Sequence, residues 1–320
     1  MSDTLGVLLM AYGTPTDRSG IEPYYTHIRR GHPPTSELLA QLQGRYDAIG
    51  GCSPLSEITQ AEARLLEQEL NRRHREERTG AASGSASDKA WCRVYVGMKH
   101  CSPFIADVVK AMANDGVTRS VGVVLAPHYS SMSVAVYIQE AMEAAVKHGI
   151  AELSFVRQWH LQEPLLDALE ERLQAGLGRF SDAQKERLRI VFSAHSLPER
   201  IVVQGDPYPA QLLETSRELA NRLGWTDWQF GWQSAGRTAE PWLGPDILQV
   251  LDDLAAQGYK AVLSCPVGFV SDHLEVLYDL DIEAAERAQR MGIHFERTSS
   301  LNTDQRLIAA LANAVEEELA

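Results

Sequence analysis

The sequence predicts an α/β protein in which a doubly wound unit occurs twice: two similar Rossmann-like domains with parallel sheets and a cleft between them. Three observations carry this. Short, continuously apolar runs alternate with longer helical patterns along the chain, as strands buried on both faces and their crossover helices do. Two pairs of distant segments share a form, so the unit looks duplicated. The residues richest in chemistry follow strand candidates at their carboxyl ends, where open α/β sheets bind ligands.

The strand candidates cover residues 5–11, 93–97, 121–126, 153–159, 188–193, 229–233, 261–265 and 293–297. Helical periodicity covers 36–48, 57–75, 103–114, 133–148, 163–177, 209–223, 245–257, 272–290 and 304–319. At 320 residues the chain is long enough for two domains. The boundaries expected are 1–157 for the first and 158–299 for the second, with the helix in 300–320 packing back on the first. The stretch TGAASGSASD (79–88) has no apolar residue larger than alanine and reads as a flexible surface loop.

The repeat rests on VLLMAYGTP (7–15) beside VFSAHSLP (191–198), and on VGVVLAPHYS (121–130) beside AVLSCPVGFVS (261–271). The rival explanation is that many α/β strands run into a proline loop in this way. If the repeat is real, Tyr12 and His195 occupy equivalent strand ends in the two domains.

Composition narrows the classes. Hydrophobic residues make up 44% and charged residues 23%, as in ordinary folded proteins. The net charge of −13 repels nucleic acid and anionic lipid but not cations, so nucleic acid is excluded as a partner. No stretch reaches the roughly 18 apolar residues of a membrane span, and no basic segment precedes the first apolar run, so neither an export signal nor a membrane anchor is expected. A cytoplasmic monomer is the expectation. Cys52, Cys92, Cys101 and Cys265 contain no C-x-x-C pair. They read as reduced thiols, and the absence of a close cysteine run argues against an iron–sulfur cluster.

Three groups of residues carry chemistry. Glu275, Asp279 and Glu283 are spaced four apart, which on a helix sets three carboxylates on one face. Three like charges in a row cost a few tenths of a kcal/mol per pair, and a bound cation would relieve that. The plainer reading is a solvated acidic face with Asp272 and Glu275 as a capping box. The position of Glu275, just after the strand 261–265 and its proline loop, favours a site. His195 follows the strand 188–193, and its imidazole can act as a base or a metal ligand near neutral pH. Ser193 and Ser196 flank it, so a serine hydrolase is a rival, although no G-x-S-x-G elbow occurs. Finally, Tyr12, Tyr24, Tyr25, Arg29, Arg30, Arg45 and Tyr46 crowd the first fifty residues. Arginine forks suit carboxylates and tyrosines pack on flat rings, a combination that fits a planar apolar polycarboxylate.

These residues resemble the ferrochelatase family, and within it the coproporphyrin III branch. The matching stretches are MAYGTP (10–15), IEPYYTHIRRG (21–31), GRYDAIGGCSPL (44–55), GMKH (97–100), LAPHYS (125–130), SAHSLP (193–198), GDPYP (205–209), GWQSAG (231–236), PWLGPD (241–246) and PVGFVSDHLEVLYDLD (266–281). They occur in family order; stretch 79–88 looks like an insertion and the chain after Ser300 matches weakly.

The resemblance implies a chelatase-like fold and insertion of Fe²⁺ into coproporphyrin III in haem biosynthesis, with protoporphyrin IX as the alternative substrate. A non-catalytic tetrapyrrole carrier is the rival of another class; it would use Tyr12 but have no need of the acidic helix. By resemblance His195 and Glu275 are the facing catalytic pair, and both meet the metal. Asp279 and Glu283 form an outer metal site. Tyr12 lies on the opposite face of the ring as an axial ligand of the iron porphyrin. Arg29, Arg45, Tyr46, Ser53 and Tyr137 hold the porphyrin and its carboxylates, and Lys99, His100 and Trp242 lie near or line the cleft. No tightly bound cofactor is implied, since iron is a substrate. The partners implied are the porphyrin, Fe²⁺ and transient contacts with other haem-pathway enzymes.

Overall fold

The structure, a computed structural model, describes residues 4–81, 90–236 and 238–320. Among these residues eight strands form: β1 (Leu5–Ala11), β2 (Cys92–Met98), β3 (Arg119–Val124), β4 (Glu152–Val156), β5 (Leu188–His195), β6 (Trp228–Gln233), β7 (Ala261–Cys265) and β8 (His294–Arg297). The helices are α1 (Ile21–Ile28), α2 (Ser36–Ala48), α3 (Leu55–Ala81), α4 (Ile105–Asn114), α5 (Val134–His148), α6 (Glu163–Leu177), α7 (Asp182–Lys185), α8 (Arg200–Val203), α9 (Tyr208–Leu223), α10 (Ile247–Ala256), α11 (Ala285–Arg290) and α12 (Gln305–Leu319). A π-helix, Val276–Ala284, runs directly into α11.

The strands make two all-parallel sheets, ordered β2-β1-β3-β4 and β6-β5-β7-β8. The second order repeats the first strand for strand. Both segment pairs of the sequence repeat fall on equivalent strands, β1 with β5 and β3 with β7. In each sheet the chain reverses direction of travel at the central strand, β1 or β5, and the carboxyl end of such a switch point is where ligands bind.

Alternation along the strands sorts the cores. Leu5, Val7, Leu9 and Ala11 of β1 face Ala63, Leu66 and Leu70 of α3 and Leu307, Leu311 and Val315 of α12. Leu8 and Met10 face the other way, onto Ile105, Val109 and Met112 of α4. In β5, Leu188, Ile190, Phe192 and Ala194 join the same large core as Leu9, whereas Val191 packs with Leu251, Val276 and Leu280. One apolar core therefore spans both sheets, and truncating a leucine there to alanine costs about 2–5 kcal/mol. Helix α12 lies against α3, β3 and β4 and also against α6.

Two expectations need correcting. The stretch from Asp272 is not one α-helix: helical geometry begins at Leu274 and becomes a π-helix from Val276. Asp272 is not a cap either. Its carboxylate accepts from Ser300 Oγ (2.7 Å), Asn302 Nδ2 (2.9 Å) and Arg297 Nη1 (3.3 Å), which spends it on the chain after β8. Residues 82–88 of the glycine- and serine-rich stretch lie outside the described residues, and 79–81 close α3. No helix among the described residues is long and apolar enough to cross a membrane.

Candidate active site at two strand ends

The first wall of the site grows from β1. After Ala11 the strand stops because Gly13 takes a φ of 88°, a conformation that favours glycine. The backbone N–H groups of Lys99 and His100 donate to the carbonyls of Ala11 (2.9 Å) and Tyr12 (3.0 Å), fixing the turn against the end of β2. Tyr12 is left 41% exposed at the end of a fully buried strand. Its ring lies 4.5 Å from that of His100 and edge-on to Tyr24. His100 is braced in turn, its Nδ1 3.0 Å from Nδ1 of His27. Burial, then the charge of Lys99, pushes the His100 imidazole down to about 3, so it stays neutral.

The second wall grows from β5. His195 is its last residue, paired in register with Gln233 of β6. Tyr208 Oη donates to the His195 carbonyl at 3.1 Å. His195 Nδ1 is close against the Ser196 carbonyl, an acceptor, so Nδ1 carries the hydrogen and Nε2 keeps its lone pair. That Nε2 stands 3.6 Å from Glu275 Oε1. The separation is too long for a hydrogen bond and leaves room for a metal ion shared by the two. His273 Nε2 approaches the other oxygen of Glu275 at 3.8 Å, and burial pushes its imidazole down.

The two walls share one electrostatic space. Desolvation lifts the phenols of Tyr12, Tyr24, Tyr46 and Tyr137, Tyr46 up to about 12, and the negative charge of Glu275 lifts each further. Those tyrosines belong to the first half of the chain and Glu275 to the second. Trp242, its indole N–H donating to Thr238 Oγ1 at 2.8 Å, sets its ring 6.5 Å from His195.

A part-buried ion pair joins α2 to the π-helix. Arg45 Nη2 of α2 donates to Asp279 Oδ1 at 2.6 Å, with Glu283 Oε2 at 4.0 Å and the Tyr278 ring 4.5 Å beneath the guanidinium. Ser234 Oγ donates to the second oxygen of Asp279. Desolvation still pushes Asp279 up to about 7, Arg45 opposing it.

A protein-family model described as Ferrochelatase matches residues 4–319. The chain is 44% identical over 318 residues to the coproporphyrin III ferrochelatase of Geobacillus thermodenitrificans, covering 99% of this chain and 96% of that one. It is 42% identical over 316 residues to that of Bacillus subtilis, covering 98% of each. The chain belongs to the ferrochelatase family. Among solved structures it resembles the sirohydrochlorin chelatase SirB of Bacillus subtilis subspecies spizizenii in complex with cobalt, with a TM-score of 0.57 at 12% identity, covering 98% of this chain and 95% of that one. SirB from Bacillus subtilis with Fe3+ gives 0.58 at 13%, covering 99% and 96%. These two likenesses are of fold.

In this ferrochelatase-family chain the structure brings His195, Glu275, Tyr12, His100 and Trp242 to the strand ends. Other expected residues sit differently. Tyr46 is 1% exposed, with its hydroxyl 3.1 Å from Thr14 Oγ1, and Tyr137 is buried beneath Lys99, whose Nζ lies 4.6 Å over its ring. Ser53 is buried and its hydroxyl accepts from the Leu55 N–H at 3.4 Å, a helix-start role. All three side chains are buried. Arg29 is held by its own turn, Nε donating to the His32 carbonyl at 3.2 Å. Arg45 and Asp279, expected to hold a porphyrin carboxylate and a metal, hold each other.

Among the described residues no group of three or more His, Cys, Asp and Glu side chains is placed to hold a metal ion. Asp279, expected in the outer metal site, is occupied by Arg45 and Ser234. The serine hydrolase reading also falls. Ser193 Oγ donates to Gln233 Oε1 at 2.7 Å and Ser196 Oγ to the Leu243 carbonyl at 2.8 Å, so neither hydroxyl is offered to the imidazole. His273 and Ser234 went unremarked in the sequence reading, although both lie inside matching motifs. The signal was available for His273: a histidine two residues before a candidate catalytic carboxylate.

Proposed function

We propose that this protein inserts ferrous iron into coproporphyrin III, giving Fe-coproporphyrin III on the way to haem. The observation that carries the reading is the separation of 3.6 Å between His195 Nε2 and Glu275 Oε1 at the strand ends. Metallation releases two pyrrole protons as Fe²⁺ enters. His195 Nε2, with its lone pair inward, takes a proton or meets the metal. Glu275 takes the other proton and passes it outward, or guides the ion in. The open pair suits an ion that must move on, since closed four-ligand sites retain theirs.

Asp279 and Glu283 serve as the outer stage of the metal path, reached when Arg45 releases Asp279. Tyr12 lies on the far face of the ring and can ligate the iron of the product. Arg29 and, once free of Asp279, Arg45 suit the porphyrin carboxylates, with Tyr46, Ser53, Tyr137, Lys99 and Trp242 shaping the walls. The full-length relatives named as coproporphyrin III ferrochelatases support the choice of substrate. Iron enters as substrate, so the reading needs no resident cofactor. Four free cysteines fit a reducing, cytoplasmic setting.

The experiment is a comparison of anaerobic Fe²⁺ insertion into coproporphyrin III and protoporphyrin IX, followed by absorbance. Faster metallation of coproporphyrin III is expected. Preference for protoporphyrin IX would change the substrate, and metallation of neither would leave a tetrapyrrole carrier.

A further inference from the structure

Glu62 is a carboxyl group that the chemistry above does not use, buried completely on the inward face of α3. That face reads Thr59, Glu62, Ala63, Leu66 and Leu70, all buried, the spacing of a stripe turned toward the core. An acid in such a stripe needs a reason, because burying an unpaired charge is expensive. Its partner comes from the other half of the chain: Ser271 Oγ donates to Glu62 Oε1 at 2.5 Å. Glu62 Oε2 and the Thr59 hydroxyl, one helical turn apart, have no partner. Desolvation pushes the carboxyl up to about 7.

Ser271 stands at the start of the segment that delivers the site. Val270, just before it, is held by the N–H groups of Leu301 (3.0 Å) and Asn302 (2.9 Å), and the Asp272 N–H just after it donates to Asn302 Oδ1 (2.8 Å). Those bonds fix the segment to its own half. Glu62 fixes it to the first half, and Arg45 does the same at Asp279, beyond Glu275. Glu275 thus lies between two ties to the half that carries Tyr12.

We propose that Glu62, through its hydrogen bond with Ser271, is a positioning residue for Glu275, setting that carboxylate in register across the two halves. The proposal rests on the chelatase reading of the His195–Glu275 pair. What the geometry asks of residue 62 is an acceptor for the Ser271 hydroxyl, not a charge, so an amide should serve.

The test is metal-insertion kinetics on the full chain with Glu62→Gln, Glu62→Ala and Ser271→Ala, with circular dichroism confirming the fold of each. Ser271→Ala changes little volume and keeps the proposal testable should Glu62→Ala not fold. Expected are a fall in kcat of about tenfold or more in Glu62→Ala and Ser271→Ala, with KM for porphyrin within about twofold of wild type, since only alignment at the reacting centre is lost. Glu62→Gln should restore kcat to within about twofold, and the double alanine variant should be no worse than the more damaged single, because both remove one interaction. Wild-type kcat in Ser271→Ala, or a folded Glu62→Gln as slow as Glu62→Ala, overturns the proposal. An inactive wild-type protein overturns the chelatase reading instead.

Discussion

Gly268 rests directly on Ala194: a β-carbon added at Gly268 would fall 2.4 Å from the Ala194 β-carbon and 2.9 Å from its α-carbon. Ala194 immediately precedes His195, and Gly268 opens the loop that leads to Glu275. The Gly268 N–H also donates to the Ser193 carbonyl at 3.2 Å. This close approach of two backbones brings the ends of β5 and β7 together, and with them the imidazole and the carboxylate.

Gly268→Ala should therefore separate His195 from Glu275. The obstructing atoms include backbone, which cannot rotate aside, so the loop must lift. A loss of about 1–3 kcal/mol in stability is expected from the overpacking, together with a fall in kcat larger than that of an alanine at an open surface glycine such as Gly44. Urea unfolding and initial rates of metallation check both. Wild-type kinetics in Gly268→Ala would show that the loop tolerates the shift and that this approach does not set the pair.

His195→Ala should abolish metallation while coproporphyrin binding persists. The imidazole faces Glu275 and Trp242, whereas Tyr12, Arg29 and Lys99, proposed above to meet the ring, belong to the first half of the chain. A general acid or base is worth about 10²–10⁴ in rate, and loss of a metal-directing group adds to that. Glu275→Gln should be nearly as damaging, since the amide keeps the shape but neither accepts the proton nor attracts the ion. Stopped-flow absorbance for metallation and fluorescence quenching for porphyrin binding separate the two effects. Substantial turnover in His195→Ala would remove this residue from the mechanism.

Much of this was legible in the sequence because strands buried on both faces are written as apolar runs. The eight strands among the described residues lie where such runs predict, β1 and β7 with the same ends. The duplicated unit was legible through the shared form around Tyr12 and His195. Apolar spacing does not encode i→i+5 hydrogen bonding, so the π-helix that carries Asp279 and Glu283 read as α-helix. Arg45 read as a ligand for carboxylates in general; that its carboxylate is Asp279, 234 positions away, is a fact of tertiary packing. Tyr46, Tyr137 and Ser53 carry hydroxyls that look available in sequence and are buried in the fold for the same reason.

Asp279→Asn should raise the Fe²⁺ concentration needed for half-maximal rate while leaving the saturated rate closer to wild type than Glu275→Gln does. Asp279 lies beside Arg45 and Ser234, four residues after Glu275 and on the π-helix that follows it. With its carboxyl held up to about 7 by burial, a cation must displace both a proton and Arg45 to bind there. The penalty should therefore be largest at low iron and above about pH 7, where wild-type Asp279 is ionised, and should shrink as pH falls and the wild-type carboxyl is itself protonated. Rate against Fe²⁺ concentration at two pH values measures it. An equal loss at saturating iron would place Asp279 in the insertion step itself.

Glu62 should leave a signature in stability against pH. Its carboxyl lies near 7 in the folded protein against an ordinary value of 4.5, raised chiefly by desolvation and opposed by the Ser271 hydrogen bond. Between those values the folded chain holds a proton that the unfolded chain has lost. This group therefore supports the fold fully below about pH 4.5, progressively less as pH rises to 7, and costs a constant amount above that. The gap corresponds to roughly 3 kcal/mol as an upper limit. Glu62→Gln removes the titration, so the stability difference between variant and wild type should move in favour of the variant as pH rises from 4.5 to 7.5. Urea midpoints across that range check it, and a difference that stays flat would mean that the buried carboxyl titrates as an ordinary one.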